Sequence, residues 1–474
     1  MAHRAVEAPR TVRKALSFSA LNTVLAKLGS FLTGVVLARL LVPEDFGVFA
    51  VALVVLSAVL SMNELGVSLA LVRWPGDPLR IAPTVTTISM GSSVLLYAVC
   101  WFGAPAFSAA LGAPDATGVV RLLCVAVLID GVTAAPAQLV NREFRQGVRL
   151  LSDVANLVVT TGVTVSLAAT GHGAWSLGWG QLAGNVLAAV VLCRLTSMWP
   201  RPGFDRRQAA ELLRFGLPLA GASLLVFAML NVDYVVTGRV LGAVALGLYL
   251  QAFNLASWPV NVFSAIVRRV SLAAFSRVQD DPARRQEALA RMVTVLAVPT
   301  LLVCLLLGLL ALPLITTVYG EAWAGAAAAL QFLAVLGVVR VFGELCYDFL
   351  VALGLSRSTL WLQGLWLGAL VVALPVGALV GNIRGVAMAH AAVGLFVVLP
   401  AYLLVVARTG VSLRALGSAL SMPLLGTCVA AMVVVGMRLV LPPSPVLLLT
   451  AGALGVLAYL PFVWPLRHQF RELG

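Results

Sequence analysis

RKALSFSALNTVLAKLGSFLTGVVLARLLVPEDFGVFAVA, residues 13–52, is the stretch whose reading decides the fold. After Arg13 and Lys14 it is apolar to Leu41, broken only by single polar residues. The turn residues VPEDFG at 42–47 follow, and then apolar sequence resumes. A bilayer core of about 30 Å takes roughly 20 apolar helical residues to cross. The stretch therefore reads as a membrane span, a short turn and the start of a second span. The whole chain repeats that alternation. Of its 474 residues 61% are hydrophobic and 11% charged, and the mean hydropathy is +1.01. Soluble domains average about 45–50% apolar and about 25% charged residues. In water the polar residues of this chain could not cover its apolar surface. A soluble enzyme, a secreted disulfide domain and a disordered regulator are excluded.

The expected spans lie at about 16–40, 46–70, 81–103, 117–139, 150–170, 174–197, 214–240, 244–268, 291–315, 324–353, 358–380, 384–407, 414–438 and 445–465. That makes fourteen, or twelve if an apolar segment lies in the interface. Turn chemistry separates them: WPGDP at 74–78, SMWPRPGFDRR at 197–207 and LPPSP at 441–445. The net charge of +13 could suggest nucleic acid, but the basic residues sort by side instead. Arg39, Arg121, Arg239, Arg384 and Arg438 fall on one side, and Lys27 and Arg340 lie inside spans. The rest of the 32 Lys and Arg occupy the N-terminus, the alternate loops and the C-terminus. Basic residues stay cytoplasmic, so both termini are expected inside and no nucleic-acid partner is expected. The polar N-terminus runs into a long apolar segment without a small-residue cleavage site, so no removable signal peptide is expected. Six cysteines stand singly in apolar stretches, a spacing that fits neither a disulfide framework nor a zinc site, and they read as small hydrophobes.

The opening stretch has a counterpart 200 positions on, LRFGLPLAGASLLVFAMLNVDYVVTGRVLGAVALGLYLQA at 213–252. At that offset Lys14 meets Arg214, Arg39 meets Arg239, Leu41 meets Leu241, Gly47 meets Gly247 and Phe49 meets Tyr249. A further pairing, at an offset of 212, sets Gly173 against Gly385. Both copies start in the cytoplasm, so these are parallel repeats. Such repeats pair two lobes around a midplane cavity. The expected organisation is an all-α polytopic membrane protein with an N-terminal six-helix lobe (1–200), a C-terminal six-helix lobe (208–408) and two appended helices (409–474).

An ionisable residue at a helix centre costs about 2.5–3.5 kcal/mol on insertion scales, so it should face protein or water. Ser19, Thr23, Lys27, Ser30 and Gly34 put one cation on a polar stripe of the first span. Gln251, Asn254, Trp258 and Asn261 repeat that stripe without charge, and Trp258 is the aromatic best placed for a sugar ring. Asp153, Asn156 and Thr160 line the fifth span, and Asn231, Asp233 and Thr237 the seventh. Arg340, Glu344 and Asp348 share a face of the tenth. Cations for an anionic headgroup and amides for a hydroxyl-rich cargo are one reading. The bland alternatives are an Arg340–Glu344 ion pair, helix–helix bonds by Asp153 and Asp233, and snorkelling by Lys27. Trp101, Trp323 and Trp464, near span ends, read as interfacial belt residues. His390 reads as a packing or hydrogen-bonding residue, and no metal site or cofactor is expected. No nucleotide-binding motif is visible, so ATP hydrolysis is not expected.

LGLYLQAFNLASWPVNVFSAIVRRVSLAAFSRVQDD (246–281) resembles the signature stretch of the bacterial polysaccharide transporter family. These are Wzx-like flippases, including the colanic-acid-exporter type, within the multidrug/oligosaccharidyl-lipid/polysaccharide exporter superfamily. LLVPEDFGVFAVALVV (40–55), ELGVSLALV (64–72) and GHGAWSLGWGQLAG (171–184) are similar to its N-terminal patterns. The resemblance implies a two-lobed carrier of the cytoplasmic membrane that alternates between inward- and outward-open states. It implies a polyprenyl-diphosphate-linked oligosaccharide as cargo, bilayer lipids as surroundings and a glycan polymerase or other polysaccharide-assembly proteins as partners. Related lipid-carrier flippases use cations in their first spans, and Lys27 matches that pattern. The chain has fewer intramembrane cations than lipid II flippases. Two other functions remain open: an ion-coupled exporter of small drugs using Asp153 or Asp233, and a membrane-embedded glycan polymerase. The external loops are short and nearly free of acid–base groups, which ranks the polymerase last.

Overall fold

The computed structural model describes residues 29–74, 77–143, 145–196, 199, 201–277 and 281–467, and among these no strand occurs. The helices are α1 (Gly29–Leu40), α2 (Pro43–Met62), α3 (Ala82–Ala110), α4 (Thr117–Arg142), α5 (Gln146–Ala169) and α6 (Ala174–Thr196). They continue with α7 (Arg206–Arg277), α8 (Pro282–Leu309), α9 (Ala326–Ala352), α10 (Ser356–Val393), α11 (Leu413–Val440) and α12 (Pro445–Val463). α10 runs on through a π-helical turn to Arg408. Eleven helical runs among the described residues are long and apolar enough to cross a bilayer. Two of those runs carry two expected spans each, because α7 breaks at Gly242 and α10 at Gly381–Asn382. With α1, the described end of the first span, the pattern of fourteen spans accounts for every long helix. The chain is an all-α, multi-pass membrane protein.

Turn sequences become helix starts. Pro43 opens α2, and Asp45 Oδ2 accepts from the Val42 N–H at 3.2 Å. Asp281 caps α8 by accepting from the N–H groups of Ala283 and Arg284, with Pro282 in the first turn. Ser444 Oγ accepts from Leu447 N at 3.2 Å ahead of Pro445. Each side chain satisfies donors that the first helical turn leaves unpaired, and proline loses nothing there.

The chain divides into two compact units. The first holds Met1–Asn231 and Gly242–Val244. Its helices pack as the pairs α5/α6, α3/α4, α4/α6 and α2/α4. Lipid tails are as apolar as leucine, so small residues and polar bonds hold such pairs. A Cβ on Gly180 or Gly184 would overlap the side chains of Thr164 and Thr160 on α5. Asn156 Nδ2 donates to Asn185 Oδ1 at 3.0 Å, and Thr160 Oγ1 donates to Asn156 Oδ1 at 3.1 Å. Asn63 Nδ2 donates to Asp130 Oδ2 at 2.8 Å, and Ser93 Oγ donates to Asn63 Oδ1 at 2.8 Å, tying α3 and α4 to the end of α2. Cysteines that stand apart in sequence also meet. The thiols of Cys100 on α3 and Cys124 on α4 lie 2.6 Å apart and buried, a contact between neighbouring helices that their sequence spacing did not show. The reason is antiparallel pairing of consecutive helices, which sequence spacing does not display.

The second unit holds Val232–Leu241 and Ala245–Gly474. Its main pairs are α11/α12, α9/α10, α8/α11 and α8/α9. The two halves of α10 approach so closely that a Cβ on Gly377 or Gly385 would overlap the other residue's carbonyl. Asn382, at φ 52°, supplies the left-handed residue of that reversal. Trp323 departs from the belt reading. It is fully buried in this unit, in a short turn after Gly320 at φ 107°, whereas Trp101 and Trp464 are exposed as expected.

Candidate functional site

Asp233 and Tyr249 lie sixteen positions apart on α7. In a straight helix that is about 24 Å. Gly242 falls between them at φ 82°, in the left-handed region that favours glycine. The reversal there carries the second half of α7 back, and Tyr249 Oη donates to Asp233 Oδ2 at 3.1 Å. The second break, at Gly381–Asn382, similarly returns the end of α10, and with it His390. Its Nδ1 lies 3.7 Å from Asp233 Oδ2 and 3.5 Å from Tyr249 Oη. The other carboxylate oxygen, Oδ1, accepts from the Tyr234 N–H at 3.0 Å. Exposure is 1% for Asp233, 0% for Tyr249 and 6% for His390. The cluster is assembled inside the second unit from two helices, each folded back at a reversal.

Aromatic rings close it. Tyr234 meets Tyr249 and Phe253 edge-on, with centroids 6.1 and 5.6 Å apart, and Phe253 stacks on His390 at 6.4 Å. On the far side of Phe253 stands Arg340 of α9, its guanidinium carbon 5.4 Å from the ring centroid and its Nη1 donating to Ser257 Oγ at 3.0 Å. Arg340 therefore reaches across to α7. Phe253, Ser257, Gly337 and Arg340 line a narrow crevice beside it that has no room for a water molecule. Arg340→Lys removes the planar group that stacks and the nitrogen that reaches Ser257. The expected cost is about 1 kcal/mol, read as a lower thermal midpoint of the purified protein. An unchanged midpoint would show that these contacts contribute nothing to stability.

The other residues marked out by sequence spread apart. Lys27 lies outside the described residues. Gln251 is buried and bonded to Tyr319, Trp258 is half-buried, and Asn254 and Asn261 are exposed. Asp153 is not a buried carboxylate: its side chain is 44% exposed and lies 3.8 Å from Arg149, one helical turn away. The three residues that complete the Asp233 site, Tyr249, Phe253 and His390, were not among the sequence candidates. The repeat held one signal, since Tyr249 carries a hydroxyl where its counterpart Phe49 has none. His390 reads from sequence as a packing or hydrogen-bonding residue, which its stacking on Phe253 and approach to Tyr249 bear out, but its distance in sequence hides its partners.

The model of the family described as "Polysaccharide biosynthesis protein" matches residues 36–328. The chain belongs to this family. Among similar members of known name is a succinoglycan biosynthesis transport protein, ExoT, of Rhizobium meliloti (strain 1021). It is 28% identical, over 76% of this chain and 74% of its own length. The lipopolysaccharide biosynthesis protein WzxC of Escherichia coli (strain K12) is 23% identical, over 67% of this chain and 65% of its own. Among solved structures, an inward-closed lipid II flippase, MurJ, aligns with a TM-score of 0.80 at 13% identity, covering 96% of this chain and 99% of that one. An inward-facing multidrug-resistance transporter of the MATE family aligns at 0.61 and 17% identity, over 84% and 98%. These two likenesses are of fold. The polysaccharide biosynthesis family is thus represented here by a membrane chain with the helical framework of a lipid flippase.

Proposed function

We propose that this chain is a flippase of cell-surface polysaccharide biosynthesis. It moves a polyprenyl-diphosphate-linked oligosaccharide from the cytoplasmic to the outer leaflet by alternating access, and it is not an enzyme. The observation that carries this reading is family membership, with a relative named as a succinoglycan transport protein matching three quarters of the chain. The uneven distribution of Lys and Arg supports cytoplasmic termini in the inner membrane. The proposed lobes are 1–200 and 208–408, with 409–474 appended. Lys27 and Arg340 offer positive charge to the diphosphate, while Gln251, Asn254, Trp258 and Asn261 offer amides and an aromatic face to sugar. Of the two coupling candidates, Asp233 is favoured over Asp153, because a buried carboxylate bonded to a phenol is better suited to the role than an exposed one beside Arg149.

The test is a deletion strain in which polyprenyl-diphosphate-linked lipids are analysed by mass. One completed lipid-linked oligosaccharide should accumulate and should clear on complementation. Complementation with Lys27→Ala should leave most of it uncleared at normal protein levels. An unchanged lipid profile together with new drug sensitivity would overturn the reading in favour of a small-molecule exporter. Single repeat units already on the outer leaflet would do so in favour of a polymerase.

A further inference from the structure

We infer that Asp233, Tyr249 and His390 form a binding site for a single proton, and that a proton rather than a sodium ion is what this chain couples to. The inference deepens the coupling role proposed for Asp233 and rests on that reading only for the step from proton binding to transport.

The chemistry around the carboxylate favours a proton over a metal cation. Hard cations take shells of several oxygen acceptors. Here Oδ1 is occupied by the Tyr234 N–H and Oδ2 by the Tyr249 hydroxyl, so both oxygens face donors. Thr237 Oγ1, the nearest hydroxyl on the same helix face, donates to the Asp233 backbone carbonyl at 2.6 Å. The rings of Tyr234, Tyr249, Phe253 and His390 pack against one another beside the carboxylate. Among the described residues no group of three His, Cys, Asp or Glu comes together to hold a metal ion. A proton has no such requirement, and two groups that exchange one stand within reach of each other.

The charged and titratable groups facing Asp233 are few and come from every helix packed around it. α7 supplies Tyr234 and Tyr249, α10 supplies His390, and α9 supplies Arg340 beyond Phe253, close enough for its charge to act on the carboxylate. Without the extra proton, Asp233 is a carboxylate held by two donors, His390 is neutral, and Arg340 is the cation that acts on them among the described residues. At 3.7 Å the imidazole is then just beyond direct hydrogen-bond distance of Oδ2. One added proton changes this. Placed on Oδ2 it makes a carboxylic acid that can donate to the Nδ1 of a neutral imidazole. A direct bond then forms and shortens the gap. Tyr249 goes on donating to Oδ2. Because Asp233 precedes the reversal of α7 and His390 follows that of α10, the shortening acts between helix halves that the two reversals bring together. Binding thereby favours one packing of those halves over the other.

The test needs no substrate. The purified chain is reconstituted in liposomes without glycolipid, and carboxyl-stretch infrared difference spectra are recorded between high and low pH in sodium or potassium chloride. A protonated-carboxyl band should appear on acidification, identical in both salts, and vanish in Asp233→Asn. In His390→Gln its midpoint should move by about one pH unit or more. Tyr249→Phe, a near-isosteric change, should alter the band frequency and keeps the test open should the other variants fail to fold. Absence of the band, a band unmoved by His390→Gln or Tyr249→Phe, or its loss on adding sodium at constant pH would overturn the inference. The flippase reading would survive that failure. Conversely, a correct band with no lipid-linked glycan accumulating in the deletion strain would defeat the flippase reading alone.

Discussion

Asp233→Asn is expected to reduce clearance of the accumulated lipid-linked oligosaccharide by about tenfold or more, with membrane abundance of the protein within about twofold of the parent. Asparagine keeps the shape, and its Oδ1 still accepts from the Tyr234 N–H. Its amide remains a partner for Tyr249 and His390, so every hydrogen-bonding group in the buried cluster retains a partner. The negative charge alone is removed. If the carboxylate couples transport to an ion, that charge is the working part. If Asp233 merely ties α7 to α10, the amide serves nearly as well. Normal clearance by the variant would therefore end the coupling role. The comparison with Asp153→Asn sharpens the result: that side chain is half exposed beside Arg149, and its neutralisation should leave clearance within about twofold of the parent.

Gly47→Val should abolish accumulation of folded protein. A Cβ at position 47 would overlap the carbonyl of Ala243, and the atoms it meets are backbone, not the tip of a flexible side chain. Ala243 directly follows Gly242, whose φ of 82° fixes the chain reversal, so that backbone cannot retreat without undoing the turn. Overpacking a core commonly costs about 1–3 kcal/mol even where side chains can move. Here they cannot, and Gly47→Ala should already lose about 3 kcal/mol. Gly34→Ala is the control, since among the described residues a Cβ there meets nothing within 4 Å and alanine gains about 1 kcal/mol of helix propensity. Detergent-extracted, size-exclusion-resolved protein measures all three. Gly47→Val accumulating at the level of Gly34→Ala would show that the close approach does not exist.

Gly47 also illustrates how the sequence could be read. It was paired with Gly247 in the repeat, but the repeat did not show the carbonyl that a side chain there would meet. The helices themselves were legible because lipid leaves a chain few choices. Every buried backbone group must be bonded within its own segment, so an apolar run of sufficient length is a helix wherever it occurs. The breaks at Gly242 and Gly381–Asn382 fell at the expected span boundaries for the same reason: apolar sequence lapses where the chain leaves the bilayer. The family was legible too, since its patterns are local strings such as 40–55 and 246–281.

The sequence by itself thus determined the class of protein, its spans and which polar residues are costly enough in a membrane to require an explanation. Only the tertiary structure decided which of those residues act together. Helical spacing linked Arg340 to Glu344 and made a stripe of Gln251, Asn254, Trp258 and Asn261, because spacing sees one helix at a time. The two reversals join Asp233 to Tyr249 and to His390, and the first brings Phe253 back beside them, against Arg340. The same limit hid the Cys100–Cys124 contact and the burial of Trp323. A helix period reports which face a residue shares, while the neighbour that face meets is set by packing between segments distant in sequence.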